Sequence, residues 1–264
     1  MLPLDVTGTL RQTGLRRSLS AGPLGGNRIP LNGRTPMAWR LLLVIVGGLA
    51  ALPTAATGQV CSGFASFAQR PFQVLGSAAF NDQAKSFGGG FAFGGAGAFG
   101  QLSIGTTSVD NVDGSSFNFG GGAGYQISLD KRSVVHLCPI ASVGFSSGPN
   151  DIDVFGDGSL VLDLSETDFE FGVALGAVAS RSGQTQIIPA GSLALVSATF
   201  KAKDQVSGAS DSQSETFGLL GLGLGFVFNQ VFTLRPGVAI PFGLEGASTT
   251  FVVALSMNFG QRPQ

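Results

Sequence analysis

The rarest reactive side chains of this sequence are one histidine and two cysteines, and they limit the chemistry that the chain can perform. Any Ser-His-Asp triad or histidine-ligated metal site must use His136. No acidic residue stands next to His136 in the sequence, and a single histidine does not make a metal site. We therefore interpret His136 as a packing residue rather than as a catalytic or metal-binding one.

The two cysteines, Cys61 and Cys138, allow a single intrachain disulfide bond. Such a bond forms in an oxidising compartment, which an exported chain enters. Cys138 shares the inward parity of His136, so the bond would tether the segment around Cys61 into or beneath the lumen of the predicted fold. Two unpaired thiols are the alternative interpretation.

Two further patterns resemble binding sites but lack a decisive feature. The segment 149–158 carries the carboxylate oxygens that calcium favours, without the ligand spacing of an EF-hand loop, and we predict a solvated acidic loop. The glycine runs 88–90 and 120–122 are followed by neither a helical pattern nor a lysine, so they do not predict a phosphate-binding loop. The sequence predicts no metal, no cofactor and no enzyme activity.

The composition indicates a membrane environment. Charged residues make up 12% of the chain, about half of the usual soluble fraction, glycines number 41, and the mean hydropathy is +0.34. Outside one short segment no apolar run is long enough to span a bilayer as a helix. A closed transmembrane barrel satisfies these conditions, because its backbone groups are all paired between strands. Beyond residue 60 acids outnumber bases, which argues against nucleic-acid binding.

An export signal is predicted at residues 37–58. A short basic stretch at 37–40 precedes an apolar run at 41–52, and small residues follow a proline just before Gln59. A membrane anchor and a lipoprotein acylated at Cys61 are the alternatives. Residues 1–36 lie upstream of this signal, and we interpret them as a mis-annotated or disordered extension, with translation starting at Met37.

From Phe72 onward the sequence alternates with the period of two that is typical of strands. In the clearest segment, 117–129, odd positions are mostly apolar and even positions are small or polar, so one face of the strand is apolar. The abundant glycine argues against helices. The pattern predicts about ten strands, with eight as the alternative, over residues 72–81, 86–95, 98–108, 117–129, 133–146, 167–180, 185–200, 215–228, 232–243 and 251–260.

The connections predict an all-β, closed, antiparallel, up-and-down barrel. Tight links at 94–96, 130–132, 181–183 and 229–230 alternate with longer polar links, notably 146–166 and 201–214. Short periplasmic turns and longer outer loops are typical of bacterial outer-membrane barrels. An even number of strands also brings both termini to the periplasmic side.

The charges indicate which face meets lipid. A soluble barrel would carry Lys and Glu opposite its apolar core face, but here that face carries small uncharged residues that suit a narrow lumen. His136, Glu170 and Arg235 are predicted to face the lumen, with Glu170 and Arg235 at different depths and not directly bonded. The acids are predicted to cluster in the connections: Asp110, Asp113, Asp151, Asp153, Asp157, Asp163 and Glu166.

The signal at 37–58 and the barrel pattern at 72–260 together resemble the broad superfamily of small bacterial outer-membrane β-barrel proteins. The resemblance includes an aromatic-ended last strand, which looks like the signal read by the barrel assembly machinery and carries Phe251, Val253, Leu255, Met257 and Phe259. The tail 261–264 departs from it, because Phe259 is not the last residue. The resemblance implies a Gram-negative outer membrane, with its lipids and lipopolysaccharide as partners.

The functional expectation is a non-enzymatic, porin-like barrel that serves envelope integrity or the narrow passage of small solutes. One alternative is a surface-binding barrel that acts through acidic outer loops at 147–168 and 201–214. Another is an outer-membrane lipid or protein hydrolase. The predicted organisation is an extension at 1–36, a signal peptide at 37–58, a periplasmic segment at 59–71, the barrel at 72–260 and a tail at 261–264.

Overall fold

The computed structural model describes residues 60–95, 97–110, 114–132, 134–150, 152–153, 161–182, 184–244 and 246–260. The predicted extension, signal peptide and tail lie outside these residues. In the described part of the chain, no helix is long and apolar enough to cross a membrane.

Ten strands form the body of the molecule, as the sequence predicted. They are β1 (Phe72–Phe80), β2 (Ala84–Gly95), β3 (Ala98–Val109), β4 (Ser116–Tyr125), β5 (Val135–Ser147), β6 (Val161–Ala177), β7 (Thr185–Asp204), β8 (Ser210–Phe228), β9 (Phe232–Phe242) and β10 (Thr250–Phe259). Short strands at Ile127–Ser128, Ile152–Asp153 and Ser180–Ser182 extend this framework, and a single 3-10 turn at Val60–Ser62 precedes it.

The strands close into an antiparallel up-and-down barrel. Each strand pairs with its neighbours along the chain, and β1 also pairs with β10, from Phe72 opposite Phe259 to Phe80 opposite Phe251. Closure removes the unpaired edges that an open sheet would expose. The predicted fold class is confirmed, with ten strands rather than eight.

The two faces of the wall differ as the alternation predicted. On the outside, large apolar side chains are exposed, including Phe171 at 69%, Phe251 at 63% and Leu102 at 62%. The inward positions of the same strands are mostly small or polar. A surface this apolar is stable against lipid tails and not against water.

Three predicted strand ends are wrong. Strand β6 starts at Val161 rather than at residue 167, and β7 and β8 continue to Asp204 and from Ser210, so the predicted loop 201–214 is mostly hairpin. Asp163 and Glu166, predicted in a loop, therefore lie in β6. At 201–204 and 210–214 both faces are mostly polar, which hides the strand signal, while pairing with neighbouring strands holds the backbone. At 161–166 Leu162 and Leu164 alternate with Asp163 and Ser165, so a strand signal is present, but the acids favoured a loop.

The barrel has two ends, which we name by their connections. The turn end holds the start of β1, the end of β10 and the connections that follow β2, β4, β6 and β8. The loop end holds the connections that follow β1, β3, β5, β7 and β9. Gly94 and Gly95, predicted in a tight turn, are the last residues of β2 at the turn end.

Candidate functional site: the lumen and its plug

The turn end of the lumen is filled by the segment before β1, residues 60–67, which we call the plug. Val60, Cys61, Phe64, Ala65 and Phe67 of the plug are at most 4% exposed. Removing a phenylalanine side chain from water contributes about 1.5–3 kcal/mol. The plug is therefore held by packing as tight as that of a protein core.

A covalent bond adds to this packing. Cys61 in the plug and Cys138 on the inward face of β5 form a disulfide, with their Cα atoms 6.1 Å apart and a sequence separation of 77. Both cysteines are fully buried. Closing a loop of this length lowers the entropy of the unfolded chain and stabilises the fold by roughly 4–5 kcal/mol.

Glycines in the wall make room for the plug. A side chain at Gly176 would collide with the backbone of Val60 and Cys61, and one at Gly225 with the backbone of Gly63. A side chain at Gly94 would collide with the ring of Phe67. These three glycines lie on β6, β8 and β2, so the wall accepts the plug from several sides.

Arg235 contacts the plug from β9. Its guanidinium carbon lies 5.7 Å from the centroid of the Phe64 ring, a cation–π arrangement. Arg235 and Glu170 both line a cavity of about 70 Å³, bounded on one side by Cys61 and Ser62. Glu170 is in hydrogen-bond contact with the Ser142 hydroxyl, at 3.4 Å. The cavity has room for water molecules between the plug and the wall.

His136 lies on the inward face of β5 near the turn end and is 4% exposed. Its Nδ1 is 3.1 Å from the amide nitrogen of Gln126 and 3.3 Å from the hydroxyl of Ser128. Both of these groups lie on the segment that precedes β5 and pairs with it. The interpretation of His136 as a packing residue stays a prediction.

The turn between β4 and β5 is held by Asp130. Its carboxylate accepts hydrogen bonds from the backbone N–H groups of Arg132, Val134 and Val135, at 3.1, 2.7 and 2.9 Å. These bonds, that from Val135 foremost, lower the pKa of Asp130 below its ordinary value. An aspartate is well suited to such a turn, because its short side chain bonds nearby backbone groups.

The predicted assembly signal lies on the outside of β10. Phe251, Val253, Leu255 and Met257 are 40–63% exposed. Phe259 joins an aromatic cluster at the turn end, with its ring centroid 5.8 Å from that of Phe72 and 6.2 Å from that of Phe91. Phenylalanine thus occupies the rim position that tyrosine and tryptophan take in other membrane barrels.

Sequence reasoning missed a polar network on the inward face near the loop end. The amide nitrogen of Asn118 on β4 donates to the Thr107 hydroxyl at 2.9 Å, which lies 2.8 Å from the Ser86 hydroxyl. The alternation at 117–129 already placed Asn118 inward, but its neighbours follow only from the register between strands. Among the described residues, no group of three or more His, Cys, Asp and Glu side chains could hold a metal ion.

Comparisons with known proteins support the fold. No protein-family model matches the sequence, and no curated protein matches it. The translocator domain of the autotransporter NalP from Neisseria meningitidis is similar in structure, with a TM-score of 0.51 and 15% identity over 84% of this chain and 100% of that chain.

Two smaller barrels are also similar. For Ail of Yersinia pestis the TM-score is 0.37, at 14% identity over 72% of this chain and 97% of that chain. For the N-terminal β-barrel domain of Pseudomonas aeruginosa OprF it is 0.32, at 14% identity over 72% and 98%. The chain has the fold of an outer-membrane β-barrel.

Proposed function

We propose that this chain is a sealed, non-enzymatic barrel that serves the integrity of the bacterial outer membrane. The observation that carries the proposal is the plug, which is buried in the lumen at the turn end and bonded to β5 through Cys61 and Cys138. A barrel that conducts solutes needs an open lumen, and this one is closed by packing and by a covalent bond.

The width of the barrel supports a sealed lumen. Eight strands leave an interior that side chains just fill, and ten strands enclose somewhat more space. Here the additional space at the turn end is taken up by Phe64, Phe67 and their neighbours in the plug. The passage of small solutes is therefore the weaker alternative within this class.

The proposed partners are lipids and the machinery that inserts barrels. The exposed apolar side chains of the outer face suit lipid tails, and lipopolysaccharide would contact the loop end. The exposed apolar residues of β10 suit recognition by the barrel assembly machinery. Strand β10 is also half of the closing seam, so its pairing with β1 completes the barrel.

Planar-bilayer conductance tests the proposal. The folded protein should give no steady current, whereas a variant lacking residues 60–67 should open a narrow channel. The lipid-facing variant Phe171→Ala is the matched control, because it changes the wall without touching the plug, and it should remain closed. A steady current through the unaltered protein, equal to that of the deletion variant, would contradict the proposal.

A second candidate function, surface binding, rests on the hairpin of β7 and β8. Their pairing continues to Lys203 opposite Ser210, whereas β8 pairs with β9 only as far as Gly218 opposite Phe242. The end of the hairpin therefore projects beyond its neighbour and presents Lys201 and Lys203 on one face. Shortening the hairpin should abolish binding to a target surface while the barrel still folds, and unchanged binding would eliminate this function.

A further inference from the structure

A row of polar side chains crosses three strands near the loop end of the lumen. Asn118 on β4 is opposite Ser146 on β5, and Ser146 is opposite Glu166 on β6. All three occupy inward positions. Because neighbouring strands lie about 4.8 Å apart, the row spans roughly 10 Å of the wall.

Every member of this row has an oxygen without a hydrogen-bond partner. These atoms are Oδ1 of Asn118, Oγ of Ser146 and both carboxylate oxygens of Glu166. Asn118 is 1% exposed and Glu166 is 4% exposed, so bulk water does not solvate them. Nearly all buried polar atoms in native proteins have a partner. Of the twelve buried side-chain atoms without one in the described part of the chain, four belong to this row.

The orientation of Asn118 follows from its other bond. Its amide nitrogen donates to the Thr107 hydroxyl on β3, at 2.9 Å. The Thr107 bond therefore leaves the amide oxygen of Asn118 unengaged, and it has no partner among the described residues. The register makes Asn118, Ser146 and Glu166 lateral neighbours along one stretch of wall.

Among the described residues, no basic side chain forms an ion pair with Glu166. Asp168 adds a second carboxyl group two residues further along the same inward face of β6. Of the inward positions on the described strands, only Arg235 is basic, and it lies against Phe64 of the plug, toward the turn end. On those strands, the loop end of the lumen therefore carries carboxyl groups without a basic side chain beside them.

We propose that Asn118, Ser146 and Glu166 bind one hard divalent cation of the calcium type. Carboxylate, amide and hydroxyl oxygens are ligands for such an ion, and calcium accepts six to eight oxygens at 2.3–2.6 Å, with water completing the shell. The ion would bridge β4, β5 and β6 and would compensate the buried charge of Glu166. Neither the predicted acidic loop nor the plug takes part in this site.

Equilibrium dialysis with radioactive calcium chloride tests the site on the full chain, folded in detergent micelles and first stripped with a chelator. The unaltered protein should bind one calcium ion per chain. Glu166→Gln should weaken binding by about 10-fold or more, and Asn118→Leu by a similar factor, because each removes a ligand oxygen or its charge. Ser146→Ala should weaken it less, because a neutral ligand is lost.

Glu215→Gln is the matched control. Glu215 is an inward acid on β8 whose carboxylate accepts a hydrogen bond from the Gln213 amide at 3.0 Å, so the variant removes the same charge outside the row. Its calcium binding should be unchanged. Equal loss in Glu215→Gln and Glu166→Gln would overturn the proposal in favour of diffuse charge attraction.

The absence of stoichiometric calcium in the unaltered protein would also overturn the proposal. In that case the unpartnered oxygens would be satisfied by ordered water, or by an Asn118 amide turned so that its nitrogen donates to Glu166. The mobility of unboiled protein on a gel shows which variants are folded. If Glu166→Gln does not fold, the other variants still test the site. Calcium binding at full strength by both Ser146→Ala and Asn118→Leu would show that these residues are not ligands.

Discussion

The two ends of the lumen differ in the inward side chains of their walls and in what lies against them. At the turn end the wall recedes to glycine at Gly94, Gly176 and Gly225, and a piece of the chain's own backbone with two phenylalanines occupies the space. Near the loop end the wall presents Asn118, Ser146 and Glu166, whose oxygens have no partner in the chain. Small residues on an inward face thus accommodate a segment of the protein itself, whereas near the loop end the proposed ion would lie beside the buried acceptors.

The largest expected effect comes from filling a wall glycine at the turn end. In Gly176→Val, the new side chain occupies the position of the Val60 and Cys61 backbone, so the plug should leave the lumen and the disulfide should not form. Thiol labelling of the folded, non-reduced protein should rise from no free thiols to two per chain.

The control is Gly191→Val, because a side chain at Gly191 makes only ordinary contacts with Leu222 and Gly221. This variant should keep its disulfide. If Gly176→Val also kept an intact disulfide and gave no current in a planar bilayer, the close fit between plug and wall would not hold the plug.

Removing the disulfide should have the next largest effect, a loss of unfolding free energy. The double variant Cys61→Ala, Cys138→Ala should lose roughly 4–5 kcal/mol of unfolding free energy, because the unfolded chain regains the entropy of a long loop. Urea unfolding in lipid vesicles measures this loss. The reductant-treated unaltered protein should match the double variant, and no difference between oxidised and reduced protein would refute the stabilisation.

Truncating a phenylalanine of the plug should have the third-largest effect on stability. Phe67→Ala should cost about 3–5 kcal/mol, because its ring is 1% exposed and leaves a cavity that the rigid wall does not fill. Phe171→Ala, on the lipid face, should cost less, because lipid tails occupy the vacated space. Equal losses in the same urea assay would mean that the plug is no better packed than the outer surface.

At the loop end, a substitution should raise rather than lower the free energy of unfolding. Without divalent cations, Glu166→Leu should raise the unfolding free energy by about 1–3 kcal/mol, because a buried carboxylate without a partner is removed. With millimolar calcium the sign should reverse, since the unaltered protein alone gains the ion. A variant that is less stable under both conditions would refute the comparison between the two ends.

The smallest expected effect is at Asp130, in the exposed turn between β4 and β5. The backbone hydrogen bonds to its carboxylate lower its pKa, so the stabilisation is present above the ordinary aspartate value of about 3.9 and is lost as the pH falls through the lowered pKa. Asp130→Ala should therefore be less stable than the unaltered protein at neutral pH, with the difference disappearing in acid.

Unfolding of Asp130→Ala, measured from neutral to acid pH, checks this dependence. Asp82→Ala, which changes an exposed aspartate at the loop end, is the control and should show no comparable pH-dependent loss. A loss in Asp130→Ala that did not change with pH would mean that the ionised carboxylate does not stabilise the turn.

Much of the barrel could be predicted from alternation alone. In 117–129 and 251–260, neighbouring residues point to opposite faces, so the sequence reveals the apolar side directly. Where both faces are mostly polar, as at 201–204, alternation carries no contrast and the strand end is predicted too early. At 161–166 the contrast between Leu164 and its polar neighbours is present, and the acids Asp163 and Glu166 are what favoured a loop. The cysteine pair and its place in or beneath the lumen could be predicted, because two cysteines allow one bond and Cys138 has inward parity, but the packing of the plug around it could not.

What the sequence by itself determined about this protein is the character of each strand: which residues face lipid, which face inward, and how many strands there are. Only the tertiary structure decided what the inward residues meet. Gly176 faces Val60, and Asn118, Ser146 and Glu166 share one row, because the register between strands brings together residues that are far apart in the chain. Alternation is a local property of the backbone, whereas register and plug position depend on closure of the whole barrel.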